Sequence, residues 1–191
     1  MENIDIQRKL KAILSADVQG YSRLMGDDEE HTVGTITTYR ETIALLIEKH
    51  HGRVVDAAGD NILSVFDSSL NAIHSAIEIQ RTLDAENGKL PDNRRMNFRI
   101  GINLGDILHK DDRIYGDGVN IAARIENLAD PGGICISRGV YEQVDGKLDI
   151  GFADLGSHQV KNIKKPVNTF KVLLDPNDTR AQVNAPKANT P

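Results

Sequence analysis

The sequence predicts an α+β domain with a ferredoxin-like βαββαβ core, in which helices pack on one face of an antiparallel sheet. The order of the segments carries this prediction, because short apolar runs typical of strands alternate with longer segments whose apolar residues recur at helical spacing. The chain has 191 residues and 39% hydrophobic content, which is enough for one domain with a proper core and too little for two ordinary ones.

The first half of the chain supplies five elements of this core. The run LKAILSADV, at 10–18, has the apolar density of a buried strand. The segment 22–50 follows as a helix, with the acids DDEE near its start, where they suit the helix dipole. RVVDA and NILSVF flank the turn AGD as two short strands, and a second helix begins after the capping residue Ser68.

The second half completes the core and extends it. MNFRIGINLGDIL is a strand or a strand pair, RIYG is a turn, DGVNIAARIENLA is a helix and GICIS is a strand. We therefore assign 9–174 to one domain, preceded by an N-terminal arm at 1–8. The segment 175–191 has almost no apolar residues and contains three prolines, so we expect a disordered tail.

Composition limits the partners and the compartment. Acidic and basic residues are interspersed and the formal charge is −5, so the chain lacks the basic field that gathers a polynucleotide. The lone cysteine, Cys135, lies in an apolar run, which favours a buried thiol in a reducing compartment. The N-terminus lacks the apolar core of a secretory signal, and no apolar run approaches the ~20 residues that span a bilayer. We expect a cytoplasmic protein.

Two acids occupy corresponding places in the predicted sheet. Asp17 ends the first strand, and Asp60 lies in the turn between the next two strands. Either residue alone is more typical of a turn or a helix cap. Because the first strand is central and the hairpin lies beside it, however, both carboxylates can reach one edge of the sheet. Hard cations such as Mg²⁺ are commonly held by one or two carboxylates together with substrate phosphates, so the pair predicts a nucleotide-bound metal site.

The segment YGDGVNIAARIEN contributes a polar surface on a helix. Asn120 and Arg124 are four residues apart and therefore share one face. An amide and a fixed guanidinium suit a ribose and a phosphate. The alternative is that Arg124 pairs with a surface acid such as Glu126 or Asp130.

Five segments together resemble the catalytic domain of class III nucleotidyl cyclases, the adenylate and guanylate cyclase family, especially its short bacterial members. They are AILSADVQGYSRLMGDDEE, GRVVDAAGDNIL, FRIGINLGDI, IYGDGVNIAARIENLADPGGICIS and QVKNIKKPV. The resemblance runs in order from Lys9 to Leu173. It implies a homodimer whose two active sites lie between the subunits and convert a nucleoside triphosphate to a 3′,5′-cyclic monophosphate and pyrophosphate.

The resemblance also implies a metal site. Asp17 and Asp60 would bind two divalent ions, Mn²⁺ or Mg²⁺, with help from the backbone carbonyl of Val18. In such a site one metal lowers the pKa of the ribose 3′-hydroxyl and the other stabilises the leaving pyrophosphate, which is the two-metal arrangement for in-line displacement at phosphorus.

Further residues of the family's site come from the other subunit. By resemblance, Asn120 holds the ribose and Arg124 neutralises the charge that grows on the α-phosphate, a role commonly worth on the order of 10²-fold or more. Lys161 would contact the polyphosphate.

The base-reading positions depart from the adenylate cyclase pattern. Adenylate cyclases carry a Lys four residues before the second metal acid and an Asp or Thr seven residues before the Asn, whereas this chain has Asp56 and Arg113. A carboxylate has no proton for the ring nitrogen of adenine. A carboxylate beside a guanidinium suits uracil, guanine or cytosine, and the long Arg side chain favours a smaller base. We therefore expect UTP to be cyclised to cUMP, with guanylate cyclase, which also has an acid at the Lys position, as the next alternative.

This altered pair resembles the short bacterial cyclases that make cyclic UMP or cyclic CMP in antiphage defence. The resemblance implies that phage infection activates the enzyme and that a separate effector, often a membrane protein, senses the product. Two alternatives stay open. The chain is an ordinary adenylate cyclase with an unusual pocket, or it is an inactive nucleotide-binding dimerisation module in which Asp56 and Arg113 pair with each other.

Overall fold

The computed structural model describes residues 7–110, 113–175 and 177. Its strands and helices follow one another along the chain in this order: β1 (Gln7–Val18), α1 (Tyr21–Asp27), α2 (Glu29–Lys49), β2 (Gly52–Ala58), β3 (Asn61–Phe66), α3 (Ser69–Asn87), a short 3₁₀ turn (Asp92–Arg94), β4 (Phe98–Lys110), β5 (Arg113–Tyr115), α4 (Asp117–Glu126), β6 (Ile134–Ser137), α5 (Arg138–Val144), β7 (Gly151–His158) and β8 (Val167–Leu173). None of the described helices is long and apolar enough to cross a membrane.

The strands form one sheet in the order β2-β3-β1-β4-β6-β8-β7, with β5 paired to the end of β4. Every pairing is antiparallel except that between β4 and β6. The first four strands, with α1, α2 and α3 between them, have the order of a ferredoxin-like core. The predicted α+β class and βαββαβ core are therefore confirmed.

Several predicted boundaries differ from the structure. The first long helix is two helices, because Asp28 is extended at φ −159° and ends α1 before its side chain accepts a hydrogen bond from the His31 N–H of α2. The segment 96–108 contains one continuous strand, β4, and RIYG contains the short strand β5 rather than only a turn. The first strand begins at Gln7, two residues inside the predicted N-terminal arm.

The two faces of the sheet are covered by different helices. Leu14 and the other inward residues of β1 meet α2 and α3 in the main core. The next residue, Ile13, points to the opposite face, where it packs with Ile107 and Ala122 of α4. The prediction that the helices share one face is therefore wrong for α4, which follows the βαββαβ core in the chain and crosses the free side of the sheet.

Glycines allow α4 to lie very close to the sheet. A Cβ at Gly101 would stand 2.2 Å from the Glu126 backbone nitrogen and 2.5 Å from the Ala122 carbonyl oxygen, and Gly105 faces Gly118 in the same way. Real Cβ atoms do not approach backbone atoms as closely as 2.2 Å. Any residue other than glycine at position 101 would therefore push α4 away from the sheet. The consequence is that side chains on the inner side of α4 reach the surface of β1.

Candidate active site

The predicted metal ligand Asp17 is held by an arginine on the neighbouring strand. Asp17 lies opposite Arg99 in the β1–β4 ladder, so both side chains are on the same face. The Arg99 Nε donates to Oδ1 at 3.0 Å, and its terminal nitrogen donates to Oδ2 at 2.8 Å. Both side chains are about one fifth exposed, at 22% and 21%. This is a two-bond, charge-assisted pair in a partly buried place.

The second predicted ligand, Asp60, is brought to the end of β1 by the β2–β3 turn. Gly59 has φ 61°, the left-handed conformation that lets this turn close. The Asp60 Oδ2 accepts a hydrogen bond from the Val18 N–H at 3.2 Å, and Asp60 contributes to the negative field at Arg99. The structure therefore brings together the three residues predicted for metal binding, at the edge of the sheet where the sequence placed them.

A third acid, Glu126, lies beside this pair and was not among the predicted site residues. Its side chain is buried, with 3% of the residue exposed, and accepts a hydrogen bond from the Ser15 hydroxyl at 2.6 Å. It is also close enough to Asp17 for that carboxylate to affect its pKa. Burial raises the pKa of Glu126 to about 8, and the neighbouring Asp17 raises it further, against the lowering effects of Ser15 and Arg99.

The donor atoms fit a divalent ion that also binds a nucleotide. Asp17 and Asp60 supply carboxylate oxygens, which Mg²⁺ and Mn²⁺ prefer. Within the described ranges no three His, Cys, Asp or Glu side chains form a ready-made metal site. The Arg99 guanidinium is the cation that balances these acids in the structure. A metal ion would compete with it for the oxygens of Asp17.

Asn120 and Arg124 lie on the outer, exposed face of α4. The two acids that could have neutralised Arg124 have other partners, because Glu126 bonds to Ser15 and Asp130 pairs with Lys171 at 2.8 Å. Among the residues that the structure describes, no hydrogen bond or ion pair involves the Arg124 side chain. Neither of the two acids named for it, Glu126 or Asp130, therefore pairs with Arg124 in the described part of the chain.

The predicted base-reading residues, Asp56 and Arg113, are both exposed. A β-bulge after Val54 places Asp56 opposite Leu63 of β3, and so turns it toward the α4 face. Their chain neighbours Val55 and Ile114 pack in one hydrophobic cluster. No ion pair joins the two residues within the described part of the chain.

Lys161 is exposed in the loop between β7 and β8, and the structure gives its amino group no partner among the described residues. A cavity of about 750 Å³ lies beside the start of α4 and is bounded by polar residues that include Arg8, Asp106 and Lys165. None of the predicted site residues lines it. Asp17, Val18 and Asp60 instead lie together at the end of β1, a surface that we call the metal edge after its predicted ligands. Asn120 and Arg124 lie on the outer side of α4, and Asp56, Arg113 and Lys161 belong to neither surface.

The sequence prediction did not include Arg99 or Glu126, although the sequence around each of them is unusual. Arg99 is the charged residue in the apolar run MNFRIGINL, and Glu126 follows the buried Ile125 on the apolar side of its helix. A charge in such a position needs a partner. The partners could not be assigned because the β1–β4 register and the position of α4 depend on long-range pairing.

The chain matches the model of the adenylate and guanylate cyclase catalytic domain over residues 7–173. It belongs to the adenylate and guanylate cyclase family. The resemblance drawn from the motifs is confirmed at this level, and members of the family generally use divalent metal ions.

Individual relatives agree with this family. The chain is 48% identical over 172 residues to "Putative adenylate cyclase 3" of Rhizobium meliloti (strain 1021), covering 89% of this chain and 29% of that protein. The crystal structure of an adenylate/guanylate cyclase/hydrolase from Silicibacter pomeroyi superposes with a TM-score of 0.84 and 39% identity, covering 90% of this chain and 100% of that one. The guanylyl cyclase Cya2 superposes with a TM-score of 0.76 and 26% identity, covering 87% and 93%. The chain thus spans under a third of the Rhizobium protein.

Proposed function

We propose that this chain is a metal-dependent nucleotidyl cyclase that works as a homodimer and converts a nucleoside triphosphate to its 3′,5′-cyclic monophosphate and pyrophosphate. The observation that carries the proposal is the meeting of Asp17 and Asp60 at one edge of the sheet, with Asp60 bonded to the Val18 N–H at 3.2 Å. Membership of the cyclase family supports the same reaction.

In this mechanism Asp17, Asp60 and the Val18 carbonyl would hold the metal ions, which lower the pKa of the ribose 3′-hydroxyl and stabilise the leaving pyrophosphate. Asp17 has to exchange its two hydrogen bonds from Arg99 for metal coordination. The released guanidinium then stands beside the site, where its donors suit phosphate oxygens.

The outer side of α4 supplies the second half of the site. Asn120 would hold the ribose and Arg124 the α-phosphate of a nucleotide bound at the metal edge of the partner subunit. The exposure of both residues, and the lack of any described ion pair to Arg124, leave them available for this role. Lys161, exposed in the β7–β8 loop, would contact the polyphosphate. A homodimer of this kind has two equivalent sites.

For the base, we propose that Asp56 and Arg113 select uracil, so that UTP is the preferred substrate and cUMP the product. The Asp56 carboxylate accepts from the uracil N3–H, and Arg113 donates to its O4. Adenine offers a ring nitrogen where the carboxylate needs a donor, and a mismatched buried polar group costs about 1–3 kcal/mol. The exposure of the two side chains, and the lack of an ion pair between them among the described residues, support this assignment over a mutual ion pair.

Adenine is the second candidate, because the Rhizobium relative at 48% identity is named as a putative adenylate cyclase. Guanine is the third, since its N1–H and O6 offer the same pattern as uracil and the guanylyl cyclase Cya2 shares the fold at 26% identity. Cytosine would fit with its amine facing Asp56. A role in antiviral defence and a separate effector remain predictions from the resemblance.

The test is a competition among substrates. The purified chain is incubated with Mn²⁺ and equal ATP, GTP, CTP and UTP, and the cyclic products are identified by mass spectrometry, with Asp60→Ala as the control for contaminating cyclases. We expect cUMP as the main product. Cyclic AMP or cyclic GMP would overturn the base assignment and leave the reaction standing, whereas no cyclic product from any nucleotide would support the inactive module.

A double variant tests directly whether Asp56 and Arg113 select the base. Asp56→Lys combined with Arg113→Asp restores the charge order of adenylate cyclases, and both side chains are exposed, so the fold should tolerate the exchange. We expect the product to shift toward cyclic AMP. An unchanged product ratio would mean that these two residues do not read the base.

A further inference from the structure

The turn between β2 and β3 carries Asp60 and has little packing of its own. β2 is the outermost strand at one edge of the sheet, and residues 56–59 are all exposed. A Cβ at Gly59 would meet nothing within 4 Å. Exposed segments with few buried contacts open more easily than the core does. The position of Asp60 relative to Asp17 therefore depends on contacts that come from outside the turn.

Arg40 of α2 supplies two such contacts. Its Nη1 donates a hydrogen bond to the Gly59 carbonyl oxygen at 3.1 Å, and its Nη2 donates one to the Ala57 carbonyl oxygen at 2.7 Å. Because the guanidinium is planar and rigid, two bonds from it fix both the distance and the orientation of the turn. Hydrogen bonds from a charged donor are about twice as strong as neutral ones. Arg40 thus holds the turn on both sides of Ala58.

The helix that carries Arg40 is itself fixed in the main core. The preceding residue, Tyr39, is 4% exposed, and Ile43 on the next turn of α2 is fully buried. The guanidinium therefore connects a rigid helix to a turn that has little support of its own. The Gly59 carbonyl and the Asp60 nitrogen belong to one planar peptide group, so the bond to Gly59 also sets the direction in which Asp60 leaves the turn.

We propose that Arg40 is a positioning residue that fixes the β2–β3 turn, so that Asp60 lies beside Asp17 in the geometry that metal binding requires. The inference rests on the proposed function, because it takes Asp60 as a metal ligand. Arg40 does not coordinate the metal, and it acts through the peptide group that joins Gly59 to Asp60. Its charge alone would have the opposite effect, since a cation near the site repels Mn²⁺. Removal of the guanidinium therefore weakens Mn²⁺ binding if Arg40 positions Asp60, and strengthens it if only the charge matters.

The test measures binding of Mn²⁺ alone, through the loss of the electron paramagnetic resonance signal of the free ion, in variants checked by thermal melting. Arg40→Met keeps an unbranched apolar stem and removes both bonds to the turn. We expect its Mn²⁺ dissociation constant to rise about 10-fold, the lower end of the range for residues that orient a metal ligand. Arg40→Lys keeps the charge but has one amino group for two carbonyl oxygens, so its dissociation constant should lie between those of Arg40→Met and the wild type.

The matched control is Arg53→Met. Arg53 is an exposed arginine of the same hairpin, but it lies away from the turn and bonds to His109 at 3.2 Å. This substitution removes the same charge and leaves the turn as it is, so the Mn²⁺ dissociation constant should not rise. An equal rise for Arg53→Met and Arg40→Met would overturn the inference, because the effect would then belong to the hairpin as a whole.

The remaining outcomes separate the inference from the proposed function. A folded Arg40→Met protein that binds Mn²⁺ as tightly as the wild type, or more tightly, overturns the positioning role, and a lowered melting temperature in that case assigns the two bonds to the fold alone. If Arg40→Met does not fold, Arg40→Lys takes its place, and wild-type binding there has the same meaning. Asp60→Asn reports on the site itself. If it binds Mn²⁺ as the wild type does, the proposed metal edge fails and the inference fails with it. If it binds more weakly while Arg40→Met binds normally, only the role of Arg40 is rejected.

Discussion

One face of the sheet lies under α2, α3 and α5, and the other face carries α4 in the described part of the chain. The first face buries a continuous apolar core that includes Leu14, Ile43 and Phe66. Asn87 shows how a polar residue is used there: it bonds to the Met96 N–H and carbonyl oxygen, and it accepts from the Tyr39 hydroxyl. Every one of these bonds joins parts of the core to each other.

The α4 face has a smaller apolar cluster and places its polar residues differently. Ser15, Asp17, Arg99 and Glu126 form one group that opens at the edge of the sheet. These groups are also close to Asp60. From this difference we expect substitutions on the first face to lower stability and substitutions on the α4 face to lower activity.

The largest effect should come from Asp60→Ala at the metal edge. The substitution removes a proposed metal ligand, so turnover should fall by more than the ~100-fold typical for an outer-shell partner. Asp60 lies in a turn and makes one described hydrogen bond, to the Val18 N–H, so the melting temperature should change little. Turnover in a coupled pyrophosphate assay checks this, and near-normal activity would remove the two-metal mechanism.

To test Asp17 as a metal ligand, a substitution that disturbs the structure less than alanine is required. Its carboxylate neutralises Arg99, and truncation would leave a partly buried guanidinium without its partner. Asp17→Asn keeps the shape and one acceptor oxygen. It should also abolish turnover, and comparing its melting temperature with that of Asp17→Ala separates the metal role from the structural one.

The next largest effect is the recovery of activity when two inactive variants, one in each half of the proposed site, are mixed. If Arg124 serves the partner's metal edge, mixing Asp60→Ala with Arg124→Ala chains gives heterodimers with one intact site. Random exchange of subunits in a symmetric dimer then restores about a quarter of wild-type turnover. The measurement is activity of the mixture against each variant alone, after refolding or slow subunit exchange. Activity that stays at the level of the single variants would argue against sites shared between subunits.

The sequence allowed the fold class and the meeting of Asp17 and Asp60 at one edge of the sheet to be predicted, because both follow from local patterns. Asp17 ends an apolar run and Asp60 sits in a Gly-Asp turn, and the ferredoxin-like order brings them together. The break at Asp28 was missed because one extended residue hardly disturbs the helical spacing on either side. The pairing of Asp17 with Arg99 and the crossing of α4 were missed because they join residues far apart in the chain.

A smaller effect on activity, but a large one on stability, is expected for Gly101→Ala. The added methyl would meet the Glu126 backbone nitrogen at 2.2 Å, and overpacking of this kind typically costs about 1–3 kcal/mol. The free energy of unfolding, from urea denaturation, should fall accordingly, and α4 should shift away from β1. Gly34→Ala is the matched control: nothing lies within 4 Å of its Cβ position in α2, so it should stabilise the fold by roughly 0.5–1 kcal/mol. Equal effects of the two substitutions would contradict the close approach of α4.

The smallest effect is a difference in the pH dependence of stability between the wild type and Glu126→Gln. Burial raises the pKa of Glu126 to about 8, from an ordinary value of 4.5 in the unfolded chain. Between these values the folded state holds a proton that the unfolded state has lost, so the free energy of unfolding decreases as pH rises. The slope from one such group is at most about 1.4 kcal/mol per pH unit.

Glu126→Gln lacks this titration while keeping the hydrogen-bonding shape, so its unfolding free energy should fall less than that of the wild type between pH 5 and pH 8. Histidines and other groups that titrate in this range are common to both proteins and cancel in the difference. Acids with lowered pKa, such as Glu78, act at lower pH than this window. Urea denaturation of both proteins at several pH values measures the difference. Parallel curves would mean that Glu126 is ionised in the folded protein, and the α4 face would then bury a charge rather than a neutral acid.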